Sequence, residues 1–224
     1  MIELINDNFE NAKRYITTKA QLIIADIPYN IGRDAYASSP EWWNGRVYRN
    51  GETKKANSKF FNTDDNFNIE NFFKFCSRYL KAEPKEVGKS PAMIVFCSFE
   101  QLPIVIEEGK KNGFKKYIPL IFIKNSSAQV LKANMKIVGA CEYALVLYRE
   151  KLPKFNNIGE DGKKHMIKNW FWIEKDKGIK RIHPTQKPIN LLETLIKIFT
   201  DEGDYIIDPV ARFWFNFKSL QKLK

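Results

Sequence analysis

Short runs rich in β-branched and other apolar residues alternate with amphipathic stretches along most of the chain, and this alternation narrows the fold more than any other feature. Gln21–Ala25 is an isoleucine-rich run that ends in the turn Asp26-Ile27-Pro28-Tyr29. Its length and its proline stop predict a buried strand. In Asn68–Lys81, residues Ile69, Phe72, Phe73, Cys76, Tyr79 and Leu80 recur on one helical face. Ala92–Cys97 reads as a strand, and Glu100–Asn112 as a helix stopped by Gly113. Tyr117–Ile123 and Glu142–Tyr148 are further strand candidates. Pro188 opens a helix carrying Leu191, Leu192, Leu195, Ile196 and Phe199, and Asp204–Ile207 is a strand leading into Asp208-Pro209. Such a succession predicts an α/β fold with a largely parallel sheet. Ligands of such sheets sit at the carboxyl ends of strands, where Asp26 and Asp208 fall.

Between these elements lie two long polar segments. The first, 33–66, is rich in Asn, Ser, Lys and aromatics and is too long for a simple connection. The second, 149–181, is a lysine-rich insertion around Trp170-Phe171-Trp172. With 224 residues and 44% hydrophobic content, the chain is expected to form a single domain, 1–224. Its formal net charge of +11 suits a polyanionic partner. Cys76, Cys97 and Cys141 stand singly in apolar segments, so buried, reduced thiols and a cytoplasmic location are expected, and with two histidines no metal site is expected. The apolar runs are too short to span a bilayer, and the first residues lack the basic and apolar regions of a secretory signal.

Two motifs carry chemistry. An exocyclic amino group on a nucleobase is a poor nucleophile because its lone pair is delocalised into the ring. In Asp26-Ile27-Pro28-Tyr29, the Asp26 carboxylate and the Ile27 carbonyl can accept hydrogen bonds from such a group, Pro28 stiffens the turn, and Tyr29 offers a stacking face. The second motif is His183-Pro184-Thr185-Gln186-Lys187-Pro188, a polar tetrad between prolines at a helix start, where Lys187 and the helix N-terminus attract anionic groups.

Together, and in this order, the two motifs resemble those of the permuted beta-type amino-methyltransferases of bacteria and their phages, which place an Asp-Pro-Pro-Tyr-like tetrad first, then a target-recognition segment, then His-Pro-Thr-Gln-Lys-Pro and a strand. The resemblance covers nearly the whole chain. It implies a Rossmann-like sheet with helices on both faces and S-adenosyl-L-methionine as cofactor. It also implies double-stranded DNA as partner, with the target base flipped out. The implied catalytic residues are Asp26, Ile27, Pro28 and Tyr29. Cofactor binding is implied for Asp7, Asn8 and Phe9, for Asp26, for Thr185, Gln186 and Lys187, and for Asp208 and Pro209. A tetrad beginning with Asp resembles the N6-adenine members more than the N4-cytosine members, which more often begin with Ser. N4-cytosine methylation and a catalytically dead nucleic-acid-binding module are the alternatives, and either restriction-modification or phage use fits the family.

The resemblance breaks after Asp208-Pro209. Members continue with a Gly-Ser-Gly-Thr-like loop, whereas here the chain reads Val210-Ala211-Arg212-Phe213-Trp214-Phe215-Asn216-Phe217, with no glycine after Gly203. Removing the first base of an AGG codon at Arg212 permits Gly-Ser-Gly-Ser-Thr-Leu, so a single-base insertion is one expected origin. The sheet is then expected to lack its last cofactor-side strands, and the edge left open favours a homodimer. DNA contact is expected from Trp42, Trp43, Arg46, Tyr48, Arg49, Lys54 and Lys55 in the first polar segment. In the second it is expected from Lys163, Lys164, Lys168, Lys175, Lys177, Lys180 and Arg181.

Overall fold

Five consecutive residues, Leu22–Asp26, form strand β1, and the first four side chains are buried. A strand buried on both faces needs no polar alternation, which is why this run is uniformly apolar. The computed structural model of the chain describes residues 3–29, 67–125, 130–132, 137–174 and 187–211. The segment 33–66, His183, Pro184, Thr185 and Gln186, and the tail 212–224 lie outside the described residues, as do Lys175, Lys177, Lys180 and Arg181.

After a 3-10 turn at Phe9–Arg14 and β1 come helix α1 (Ile69–Tyr79), β2 (Ala92–Cys97), helix α2 (Leu102–Lys111) and β3 (Lys116–Lys124). Short strands β4 (Val130–Lys132) and β5 (Ile137–Val138) pair with each other, and the chain continues through β6 (Cys141–Tyr148), β7 (Trp170–Ile173), helix α3 (Ile189–Phe199) and β8 (Ile206–Ile207). The main sheet has six described strands in the order β7-β3-β6-β2-β1-β8. β1 runs parallel to β2 and β8, and β3 runs parallel to β7. β6 is antiparallel to both neighbours, β2 and β3. The expected largely parallel sheet is therefore mixed: one strand is reversed, because β3 returns to β6 by a hairpin-like connection instead of a helical crossover.

Helices cover both faces, as expected. Ile23, Ala25, Met93, Val95, Leu145 and Leu147 pack against α1 and α2 residues such as Phe72, Phe73, Cys76 and Val105. The alternate residues, Leu22, Ile24, Ile94, Phe96, Phe122, Ala144 and Val146, pack against Leu191, Leu192, Leu195, Ile196 and Phe199 of α3. Strand pleating separates the two sets, since successive side chains point to opposite faces. Gly113, at φ +91°, stops α2 in a conformation that disfavours a β-carbon.

The lysine-rich insertion is built into the core at two places. Within it, Trp170–Ile173 is strand β7 of the main sheet. Its first part is a strap on the core. The Arg149 guanidinium donates to the Lys81 and Ser77 carbonyls at the end of α1. The Asn156 side-chain amide donates to the Thr200 and Lys197 carbonyls at the end of α3. Lys154 pairs with Asp204 and Asp201. The Arg149 and Asn156 donors satisfy helix-end carbonyls that have no partner within the helix. Cys76 and Cys97 are buried as expected, but Cys141, the first residue of β6, is exposed. Among the described residues, no cluster of His, Cys, Asp or Glu would hold a metal ion, and no helix is long and apolar enough to cross a membrane.

Candidate active site at the carboxyl edge of the sheet

Residue parity builds the site. On β1 the side chains of Leu22 and Ile24 face α3, and Asp26 continues that column past the last apolar layer. On β3 the column Leu120, Phe122 ends in Lys124. On the reversed strand β6, Ala144 and Val146 are preceded by Glu142. The register pairs Asp26 with Phe96, and Phe122 with Glu142, so these column ends meet at one edge of the sheet. Lys187, just before α3, lies over them.

The Lys187 ammonium donates to both oxygens of Asp26, at 2.8 Å each, and to the Tyr29 hydroxyl at 3.2 Å. It lies 3.3 Å from Glu142 Oε2, as an ion pair. Glu142 Oε1 pairs with Lys124. The Lys187 cation also sits 5.1 Å from the Phe96 ring centroid and 5.2 Å from that of Tyr29, close enough for cation–π attraction. The Lys187 side chain is 6% exposed and that of Asp26 is 28% exposed, so the carboxylate is the more open partner of this pair. Burial disfavours the charged ammonium, but Asp26 and Glu142 outweigh it and hold the Lys187 pKa well above the ordinary lysine value. Burial likewise opposes charge on Glu142, yet Lys187 and Lys124 keep its pKa below the usual carboxylate value. The Cys97 thiol, at the end of β2, is pushed up to about 12 by burial and by the Asp26 charge.

The tetrad is anchored from below. Ile27 is buried, and its N–H donates to the Phe96 carbonyl at 3.2 Å. The Pro28 carbonyl accepts from the Gln101 side chain at 2.8 Å. Gln101 is itself fixed by reciprocal bonds with Ser98: its side-chain oxygen accepts from the Ser98 N–H, and its own N–H donates to the Ser98 hydroxyl. This is a capping-box arrangement in the turn that leads into α2, visible in the sequence as Ser98-Phe99-Glu100-Gln101. It ties the turn after β1 to the turn after β2.

The other expected site residues lie as follows. Asp7 and Asn8 are exposed. Asp7 accepts hydrogen bonds from Asn11 and from the Asn8 N–H, which lower its pKa. Asn8 caps the 3-10 turn by accepting from the Glu10 N–H. Phe9 is half-buried among the rings of Phe67, Phe72 and Phe75. Asp208 and Pro209 follow β8, which pairs with Leu22 and Ile23 at the start of β1, and Asp208 accepts from the Val210 N–H. Lys163, Lys164 and Lys168 are exposed, and the Lys168 ammonium sits over the Trp170 ring. Thus Asp26, Tyr29 and Lys187 form one contact cluster, whereas Asp7, Asn8 and Phe9 make their described contacts elsewhere. Sequence reasoning missed Lys124, Glu142 and Gln101. The signal for the first two was a charged residue interrupting an apolar column at the site end of its strand.

No curated protein sequence matches the chain. Among solved structures, the M1.HpyAVI–SAM complex is similar, with a TM-score of 0.61 and 18% identity over 96% of this chain and 83% of that one. The PvuII DNA methyltransferase (cytosine-N4-specific) gives a TM-score of 0.57 and 14% identity over 91% of this chain and 72% of that one. TTHA0409 from Thermus thermophilus, a putative DNA modification methylase, gives 0.55 and 12%, over 97% and 83%. At these identities the likeness is one of fold. The family match is of a different order: residues 20–211, which include every described strand of the main sheet, match the DNA methylase family N6_N4_Mtase. By that match, the chain belongs to the N6_N4_Mtase family of DNA methylases.

Proposed function

We propose that this chain transfers a methyl group from S-adenosyl-L-methionine to the N6 amino group of adenine in DNA, with Asp26 and the turn that follows it as the reacting site. The observation that carries the reading is the placement of the Asp26 carboxylate: partly exposed at the carboxyl edge of the sheet, braced from behind by Lys187, and followed by an anchored proline turn with an aromatic ring.

The chemistry of the groups present fits the cofactor. The Asp26 carboxylate, open at the sheet edge, is a favourable neighbour for a sulfonium cation. The carboxylates of Asp7 and Asp208 are suited to accept from its amino and hydroxyl groups, and Asn8, Phe9 and Pro209 flank them. When bound, the cofactor would supply an electrophilic methyl group, its S–C bond breaking as the N–C bond forms and the neutral thioether leaving. The protein has to orient the amine. Asp26 accepts a hydrogen bond from the target amino group, and the Ile27 carbonyl accepts a second. Both draw the lone pair out of ring conjugation. Tyr29 stacks on the extruded base, and the proton lost from nitrogen leaves by way of the Asp26 carboxylate to water. Rate enhancement is then mainly positional. The exposed Lys163, Lys164 and Lys168 neutralise phosphates.

Calorimetric titration of the full chain with S-adenosyl-L-methionine, followed by methyl transfer to DNA and nucleoside mass spectrometry, tests the reading. One-site binding and N6-methyladenine are expected. N4-methylcytosine as the product would transfer the mechanism to cytosine. DNA binding by a folded chain that takes up no cofactor would leave a nucleic-acid-binding module instead.

A further inference from the structure

Glu142 is half-buried, with its Oε2 enclosed, carries charge and stands on the one reversed strand among the described strands of the main sheet. Its Oε1 is held by Lys124, and its Oε2 makes no hydrogen bond among the described residues while lying 3.3 Å from the Lys187 ammonium. The four groups form a chain of alternating sign, Lys124, Glu142, Lys187 and Asp26, with no net charge. Lys124 and Asp26, at the two ends, are the more open members, at 27% and 28% exposed, and Lys187 between them is the most enclosed, at 6%. Tyr29 and the Cys97 thiol are the other titratable groups described around Lys187.

A buried ammonium with a single carboxylate partner moves wherever that partner moves. One held between two carboxylates has a fixed position, because displacement toward either lengthens the contact with the other. We propose that Glu142 is a positioning residue: with Lys124 behind it, Glu142 fixes the Lys187 ammonium and thereby the direction of the Asp26 carboxylate before a target amino group arrives. This rests on the reading of Asp26 as the methyl-transfer site. It assigns to the reversed strand β6 a part in aligning that site.

The test uses the full-length wild type with three variants: Glu142→Gln, Lys124→Met, and Glu108→Gln as a remote buried carboxylate on α2. Acetylation of Lys187 by an amine-reactive reagent is followed by peptide mass spectrometry at fixed pH, because only the neutral amine reacts. Methyl transfer is measured in parallel. Loss of the Glu142 charge is expected to speed Lys187 labelling about tenfold, the change that one pKa unit produces, with Glu108→Gln unchanged. Loss of Lys124 removes a like charge and is expected to slow it. In transfer assays, Glu142→Gln is expected to lower kcat with little change in DNA affinity. Equal labelling of Lys187 in wild type and Glu142→Gln overturns the proposal, as does faster labelling in both site variants, which would indicate general loosening. Should Glu142→Gln fail to fold, the sign of the Lys124→Met effect decides alone. A wild-type chain that transfers no methyl group would sink the functional reading, while the labelling would still decide whether Glu142 holds Lys187.

Discussion

Each Asp26 oxygen accepts one hydrogen bond from Lys187. A carboxylate oxygen has a second lone-pair direction, so accepting from Lys187 does not by itself exhaust either oxygen, and the brace leaves the group able to meet a substrate. Asp26→Ala is therefore expected to lower methyl transfer about 10²–10³-fold, with DNA affinity largely retained, as read by parallel kinetics and a filter-binding titration. Loss of DNA binding instead would make Asp26 structural. Lys187→Met leaves the carboxylates of Asp26 and Glu142 facing each other without their shared cation. A stability loss of about 3 kcal/mol in urea unfolding is expected, as for other broken buried pairs. An unchanged midpoint would mean that water replaces the ammonium without cost. At this scale the tetrad was legible because a proline after an acidic strand end is conspicuous. Glu142 and Lys124 were not, because their meaning depends on which strand lies beside which, and periodicity along one strand does not contain that.

Helix α3 shows how much an element can announce by itself. Spacing alone assigns Leu191, Leu192, Leu195, Ile196 and Phe199 to one face, and all are buried against the sheet. Leu195 has no exposed surface, so Leu195→Ala is expected to cost about 2–5 kcal/mol through lost burial and a cavity, measurable by chemical denaturation. A cost below about 1 kcal/mol would mean the α3 layer collapses around the gap. What the spacing did not reveal was the end of the helix. The capping amide of Asn156 comes from a segment whose composition reads as solvated insertion, and nothing local marks Asn156 apart from its neighbours. Trp170–Ile173 was obscured in the same way: four residues amid lysines show too little alternation to be told from a loop, yet β3 offers them an edge with unpaired backbone groups.

For the molecule as a whole, the Lys154–Asp204 pair closes the strap onto the start of β8, with both side chains 11% exposed. Burial raises the Asp204 pKa, but bonds from the Asp201 N–H, Lys154 and Lys81 outweigh it and hold it below the ordinary 3.8. A carboxylate depressed in this way stabilises the fold above its unfolded pKa, and the contribution disappears as pH falls through the lower folded value. Asp204→Asn is expected to cost about 2–3 kcal/mol at neutral pH, with the gap to wild type closing below about pH 4. A gap independent of pH would assign the effect to packing. The fold class was legible from the succession of strands and helices, but the reversal of β6 was not, because strand direction is set by the path of the connection and apolar runs read alike in either sense.

That reversal has a consequence for how such a protein can change. In a wholly parallel sheet, each segment arriving at the reactive edge must leave it through a helix that crosses back over the core, so altering the edge disturbs a packed layer. Between Lys124 and Cys141 the chain instead turns over at that edge and comes straight back, carrying the β4–β5 pair with it. Residues can be added or removed there at only the slowly growing cost of closing a longer loop. The neighbourhood of the proposed site can thus be re-tailored while the layers that hold its side chains stay untouched.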